Sequence, residues 1–376
     1  MKKSIIGWLL GLQLVTSISM AMVFSLAPTV TARYGVDPAY ATYLNLGFVG
    51  AGLLSPIFGI WADHQGTKKV LLLGLFWFAF SHALTAFAPS AMTYILGRLS
   101  IGLGYYAVYG LIVSYLSKSV DHAHMGTISA GLKLAFALGV TIAPILSGLL
   151  VEWIGFEGLY LSLAVISGFI GVNLLGAPNS GHDPDERFTL DQLKALLRDP
   201  AVRRYLVLAL GVGLPGVSFF NYFSVFLAQS GYAQLDISNA YTWAGLGAIA
   251  SAFVILWMSQ RWGMTRLLGV SLIASGVVML PMLSLNPLLI IALSILFSLA
   301  YDTTVGLAFP VLALRFRSAS GSVIMLMTLI NAILGLIINL SGPFLYQALG
   351  FRALLIIAIC GAFAGWLALR QALKGV

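Results

Sequence analysis

Charge is the scarcest property of this sequence. Only 9% of its 376 residues are charged, 60% are hydrophobic, and the mean hydropathy is +0.97. Soluble domains carry about a quarter charged residues, and a soluble chain of this composition would expose apolar patches large enough to drive aggregation. A soluble globular enzyme is thereby excluded, as are a disordered chain and, despite the formal net charge of +8, a nucleic-acid-binding domain. Cysteine is nearly absent: Cys360 stands alone in an apolar run, which excludes a disulfide within the chain and any cysteine-based metal centre. Acids are also few, 12 against 20 Lys and Arg, whereas glycine is abundant at 40 residues. Small residues let helix backbones approach closely inside a membrane.

Spanning the hydrocarbon takes roughly 20 apolar residues. Cutting at charges, prolines and polar clusters gives twelve such runs, over 5–29, 40–61, 69–88, 91–117, 125–150, 156–177, 203–229, 237–259, 266–285, 287–313, 319–345 and 351–371. The first exceeds a signal-peptide core in length, and Pro28 would follow the cleavage point directly, so it reads as a retained span. Basic residues then set the orientation. With the N-terminus inside, 16 of the 20 fall on the cytoplasmic side, Arg33 and Arg352 fall outside, and Arg98 and Lys133 lie within spans. Both termini are expected in the cytoplasm. The positive balance is thus a topology device, and no nucleic-acid partner is implied.

The longest connection, from about Pro178 to Val202, is strongly polar and ends in Thr189-Leu-Asp-Gln192, which has capping-box spacing. Leu193, Leu196 and Leu197 follow on one face and predict a short amphipathic helix on the membrane surface. The expected organisation is a bundle over 1–178, a linker over 179–202 and a second bundle over 203–376. The halves resemble one another. Asp63-His-Gln-Gly66-Thr-Lys68-Lys69 after the second span pairs with Gln260-Arg-Trp-Gly263-Met-Thr-Arg266 after the eighth, the glycines lying 197 apart. Ala143-Pro144 pairs with Gly342-Pro343 at 199. Such duplication is a usual construction for transporters.

The stretch Gly59-Ile-Trp-Ala-Asp63-His-Gln-Gly66-Thr-Lys68-Lys69 resembles the loop 2–3 signature of the major facilitator superfamily, G-x-x-x-D-x-x-G-x-K/R-K/R, at every defined position. Gly66 permits a tight turn, and Asp63 can cap a helix or hold Lys68 and Lys69 in a conformational latch. Arg98 with Gly102 and Gly104 is similar to the family's fourth-span motif. Gly139, Ala143, Pro144, Ser147 and Gly148 resemble its antiporter motif G-x-x-x-G-P-x-x-G-G, with two glycines replaced by Ala143 and Ser147. The resemblance implies an all-helical fold of two pseudo-symmetric six-helix bundles, in which the first, fourth, seventh and tenth spans line a central cavity. The second-half signature is degenerate, with Gln260 in place of the acid and Leu256 in place of the first glycine.

Intramembrane ionisable groups are costly and mark candidate sites. Asp302 is the one acid well inside a span, on a stripe with Ser294, Ser298 and Gly306 at steps of four. A carboxyl group in low dielectric can exchange a proton near neutral pH, so Asp302 is the candidate proton-coupling residue. Arg98 shares a face with Gly102, Tyr105 and Tyr109 and could hold an anionic substrate group. Lys133 lies about 12 Å from the inner side, a depth near that of Asp302, which predicts a contact between the two in one conformation. His82 is expected to be a hydrogen-bonded packing histidine. In the seventh span, Asn221, Tyr222 and Phe223 follow a Gly-Pro cluster at 211–216 that invites a bend. With Gln13 and Ser298, they make a surface suited to an amphipathic organic molecule.

No Walker-type loop, soluble catalytic domain, clustered acid–base set or metal constellation is evident, so neither an enzyme nor a cofactor is expected. The leading expectation is a monomeric secondary transporter in a bacterial cytoplasmic (inner) membrane, working by alternating access. Its expected partners are a small-molecule substrate, protons or another coupling ion, and the lipid bilayer. Efflux by proton antiport comes first. Transport of an organic or inorganic anion on Arg98 and Lys133 is the alternative.

Overall fold

A computed structural model describes residues 3–119, 122–179, 200–315 and 320–374. Among these residues every regular element is helical. In hydrocarbon no water is available for backbone N–H and C=O groups, so a chain this apolar satisfies them within helices. The helices are α1 (Lys3–Tyr34), α2 (Leu46–Ala51), α3 (Ser55–Gln65), α4 (Thr67–Ala86), α5 (Ala91–Ser119) and α6 (His122–Leu174). After the linker come α7 (Pro200–Gln229), α8 (Gln234–Trp262), α9 (Met264–Met279), α10 (Pro287–Arg315), α11 (Ser320–Leu349) and α12 (Phe351–Lys374). Eleven helical segments among the described residues are long and apolar enough to cross a membrane. One of them, Gly131–Leu174, is interrupted at Gly155, where φ is 75° and ψ is 175°. That break falls between the runs expected at 125–150 and 156–177. The amphipathic helix expected after Thr189 lies outside the described residues.

The expected second span is not one regular helix. It runs through a 3-10 turn (Pro38–Asn45), α2, a second 3-10 turn (Gly52–Leu54) and α3. Gly47, Gly50, Gly52 and Pro56 lie along it, and these residue types weaken a continuous α-helix. The seventh span behaves differently: α7 continues through Pro215.

The chain divides into two compact units, one of Met1–Asp37 and Tyr43–Arg187, the other of Pro38–Thr42 and Phe188–Val376. In the first, α1 packs on α6, α4 on α5 and α6, and α2 on α5. In the second, α7 packs on α12 and α11, α10 on α8 and α9, and α9 on α12. Both units invert the soluble pattern. Trp153, Val165, Phe80, Phe87 and Leu288 are more than half exposed, whereas Thr16, Ser17, Ser19, Ser218 and Ser294 are buried. The apolar outside is the lipid-facing surface of an integral membrane protein.

The duplication is visible in the backbone. Among the described residues six glycines have positive φ, and they form three pairs at similar spacing: Gly35 with Gly231, Gly66 with Gly263, and Gly155 with Gly350. Gly66 (φ 90°, ψ 133°) donates its N–H to Ala62 O at 2.9 Å, and Gly263 (φ 76°, ψ 146°) donates to Ser259 O at 3.0 Å. Close approaches repeat as well. A Cβ on Gly47 would lie 2.6 Å from Leu99 N of α5, and one on Gly247 would lie 2.7 Å from Leu299 N of α10. Neither position has room for a methyl group.

Gly47→Ala and Gly247→Ala should therefore each destabilise the protein by about 1–3 kcal/mol, the cost of overpacking. Gly7→Ala and Gly110→Ala, where a Cβ meets nothing within 4 Å, should leave the thermal unfolding midpoint of the purified protein unchanged.

Candidate functional site

The candidate residues fall into two groups, one in each unit. In the first unit, Arg98 of α5 is fully buried. Its Nε and Nη2 donate to Asn45 Oδ1 at 3.2 and 2.9 Å, and its Cζ lies 4.6 Å from the centre of the Phe48 ring. Nη1 is buried with no hydrogen-bond partner among the described residues. Arg98 also makes no ion pair there. The Tyr160 hydroxyl also lies beside this guanidinium, and a buried cation with no ion pair among the described residues is an electrostatically incomplete arrangement.

From Arg98 a ladder of rings runs along α5. Phe48 packs on Tyr105 (5.1 Å), Tyr105 stacks on Tyr109 (5.4 Å, 14°), and Tyr109 meets Phe136 of α6 (6.2 Å). Arg98, Tyr105 and Tyr109 are thus linked through Phe48 in one run of contacts. Gly102, on the same face, is closely packed: a Cβ there would sit 2.7 Å from Ala51 Cβ and 2.8 Å from Phe48 O. Tyr109 is 41% exposed, whereas Tyr105 is buried. Lys133 is half-buried on α6, one turn before Phe136. Gln13 of α1 is buried, with its amide 3.3 Å from Ser17 Oγ.

His82 is the packing histidine expected, fully buried between Ser19 Oγ (2.8 Å) and Phe78 O (2.8 Å). Beside it the hydroxyls of Tyr94 and Tyr160 pair at 2.8 Å. At the loop 2–3 signature, Gly66 makes the turn between α3 and α4. Lys68 Nζ donates to the carbonyls of Leu175 (2.9 Å) and Ala177, and Lys69 Nζ donates to Gln65 Oε1 (3.0 Å). Asp63 lies in the last turn of α3 and Gly59 further up it; the Asp63 side chain lies outside the described set. In α6, Gly139 faces α1, where a Cβ would come 2.6 Å from Ser17 Cβ and 2.8 Å from Leu14 O, and Pro144 and Gly148 are buried.

In the second unit, Ser298 Oγ donates to Asp302 Oδ2 at 2.8 Å, one turn apart on α10. Asp302 is half-buried and Ser298 buried. The adjacent face of α10 is aromatic: Phe297 stacks with Tyr301 at 5.7 Å, Phe219 of α7 packs on Phe297 at 4.7 Å, and Phe220 meets Tyr301 at 6.0 Å. Gly216 of α7 lies directly against the Tyr301 ring. Asn221 Nδ2 donates to Asn339 Oδ1 of α11 at 3.3 Å. Tyr222 is fully buried and stacks on Tyr346 at 5.1 Å, while Tyr346 OH donates to Gln229 Oε1 at 2.7 Å. Phe223 is fully buried against Phe219 and Tyr241.

Several partners were missed in the sequence: Asn45, Phe48, Tyr301, Asn339 and Tyr346. Two of them, Asn45 and Asn339, carried a signal, because an amide inside a membrane span needs a partner as a charge does. Among the described residues no cluster of His, Cys, Asp and Glu could hold a metal ion.

The sequence profile described as Major Facilitator Superfamily matches residues 9–339. The chain belongs to that superfamily. Among relatives of this major facilitator, the probable 4-methylmuconolactone transporter of Cupriavidus pinatubonensis is 28% identical, over 40% of this chain and 34% of its own length. The multi-drug resistance efflux pump PmrA homolog of Lactococcus lactis is 23% identical over 70% of this chain and 68% of its own. The sialic acid transporter NanX of Escherichia coli is 22% identical over 69% and 66%. The chain thus matches about a third of the length of the first of these relatives and about two thirds of the other two. In fold it is similar to the human organic anion transporter MFSD10 (TETRAN), with a TM-score of 0.76, 17% identity, and coverage of 97% of this chain and 98% of that one.

Asn45→Leu should cost about 2 kcal/mol of stability, since it strips both hydrogen bonds from a buried charge. Adding Arg98→Leu should recover at least half of that loss, because the stranded charge is then gone. Chemical unfolding of the single and double variants checks the pair.

Proposed function

We propose that this major facilitator is a secondary active transporter that exports a small organic molecule in exchange for protons, with Asp302 as the coupling group. The observation that carries the proposal is Asp302 itself. It is an acid inside a span, half-buried, accepting a hydrogen bond from Ser298 and neighbouring Phe297 and Tyr301 on α10. A carboxyl group so placed can gain and lose a proton during a transport cycle. The rings of α7 and α10 and the Asn221–Asn339 amide pair offer apolar area with few polar contacts, the usual make-up of a small-molecule site. A relative named as a multidrug efflux pump, matched over 70% of this chain, supports export. Relatives named as transporters argue for transport rather than catalysis. The remaining parts of the proposal are a monomer, Gln13, Tyr222 and Phe223 as further cavity groups, and the cytoplasmic membrane of a bacterium as its place.

One observation favours a second reading. Arg98 is buried without an acid among the described residues and keeps Nη1 unpartnered, so the cargo could instead be an anion recognised by Arg98 and Lys133. The name of the sialic acid relative agrees with that reading.

Proteoliposomes separate the two, with ethidium as a cationic aromatic probe and benzoate as an aromatic carboxylate. Under the leading reading, an outwardly directed ethidium flux follows an imposed pH gradient. Asp302→Asn should abolish that dependence while ethidium exchange without a gradient persists. Gradient-driven flux surviving in Asp302→Asn would refute it. Under the second, benzoate uptake is lost in Lys133→Met and Arg98→Gln and is little changed in Asp302→Asn.

A further inference from the structure

The second unit carries three arginines on tryptophan faces, each four residues from its ring. Arg261 lies 4.2 Å from the Trp257 ring, Arg266 5.8 Å from Trp262 and Arg370 5.0 Å from Trp366. Two of them share a groove. Arg266, in the first turn of α9, and Arg370, near the end of α12, line it together with Trp366, Gly269, Val270 and Ile273. The groove therefore has a charged end and an apolar floor. Val270 and Ile273 follow Arg266 along α9, away from the helix end that the basic-residue count places on the cytoplasmic side. Like charges in one groove repel, and among the described residues neither arginine makes an ion pair. No acid occurs in 257–274 or 360–376. The one ion pair among the described residues, Arg33–Glu157, belongs to the other unit.

A guanidinium stacked on an indole keeps its N–H fork pointing outward, the geometry that grips phosphate oxygens in pairs. Gly269 has no side chain to fill the floor beside Trp366 and Leu369. A free phosphate would use the charged end alone and leave the trough bare. A phosphodiester with an acyl chain uses both, and basic pockets between helices at the cytoplasmic face bind anionic lipids by this chemistry. We propose that the groove between α9 and α12 binds one anionic phospholipid, its phosphodiester on Arg266 and Arg370 and an acyl chain along Gly269, Val270 and Ile273. The proposal is independent of substrate and coupling ion.

Native mass spectrometry of the full-length protein in detergent tests it, with dioleoylphosphatidylglycerol and dioleoylphosphatidylcholine as probes. The wild type should retain the anionic lipid about tenfold better than the zwitterionic one. Arg266→Gln/Arg370→Gln should lose that preference, Arg266→Lys/Arg370→Lys should keep part of it, and Arg261→Gln, outside the groove, should keep it whole. A second readout needs no arginine variant. Phosphatidylglycerol brominated on its acyl chains should quench tryptophan fluorescence of the wild type, and the quenched fraction should fall in Trp366→Phe. Equal retention of the two lipids by the wild type would overturn the proposal. So would an unchanged preference in Arg266→Gln/Arg370→Gln, quenching unaltered by Trp366→Phe, or displacement of the lipid by millimolar inorganic phosphate, which would mark a free-anion site.

Discussion

Close backbone approach through glycine is the constraint on which both units rest. Helices in lipid gain nothing from hiding apolar surface, since the solvent is as apolar as they are, so they associate through short contacts and interhelical hydrogen bonds. Gly47 brings α2 against α5, and Gly102 of α5 receives Ala51 and Phe48 in return. Only at that spacing can Asn45 and Phe48 reach Arg98. Gly139 does the same for α6 and α1, and Gly247 for α8 and α10. The polar groups of each unit are therefore positioned by residues that have no side chain.

The two units share a frame and differ in chemistry. Positions 200 apart serve corresponding roles in backbone packing, as Gly47 and Gly247 do. On that register Arg98 corresponds to Ser298 and Gly102 to Asp302. A side chain at 102 would collide with Ala51 and Phe48, whereas the carboxylate at 302 finds the hydroxyl of Ser298. Duplication thus left one half with a buried cation and the other with an acid, on corresponding helices. The outer surface diverged as well, because the tryptophan–arginine stacks occur among the described residues of the second unit.

Most of the fold was legible in the sequence because lipid imposes a simple rule: long apolar runs become helices, and charges mark their ends. The break between 150 and 156 followed from cutting the runs at charges, and the turn at Gly66 with its repeat at Gly263 from the freedom of glycine to take positive φ. The irregular run from Pro38 to Gln65 was not legible, since its hydropathy is that of an ordinary span and only tertiary packing reveals the 3-10 turns. Within the candidate groups, the charged residues could be found by counting, because each is rare. Their partners could not. Phe48 and Tyr301 are common residue types in spans, Asn45 and Asn339 stand out only as amides, and nothing local says which helix each one meets. Arg98 shows the limit best, for its charge within a span was evident while the Ala51 and Phe48 atoms packed against Gly102 were invisible.

The Lys68 contact reaches beyond the turn in which it sits. Its ammonium grips the carbonyls of Leu175 and Ala177, and Tyr115 OH donates to Pro178 O at 2.7 Å. The exit of α6 is thereby clamped to the start of α4 and to α5, so the chain leaves the first unit from a fixed point. Three hydrogen bonds from two other helices thus oppose fraying of that helix end.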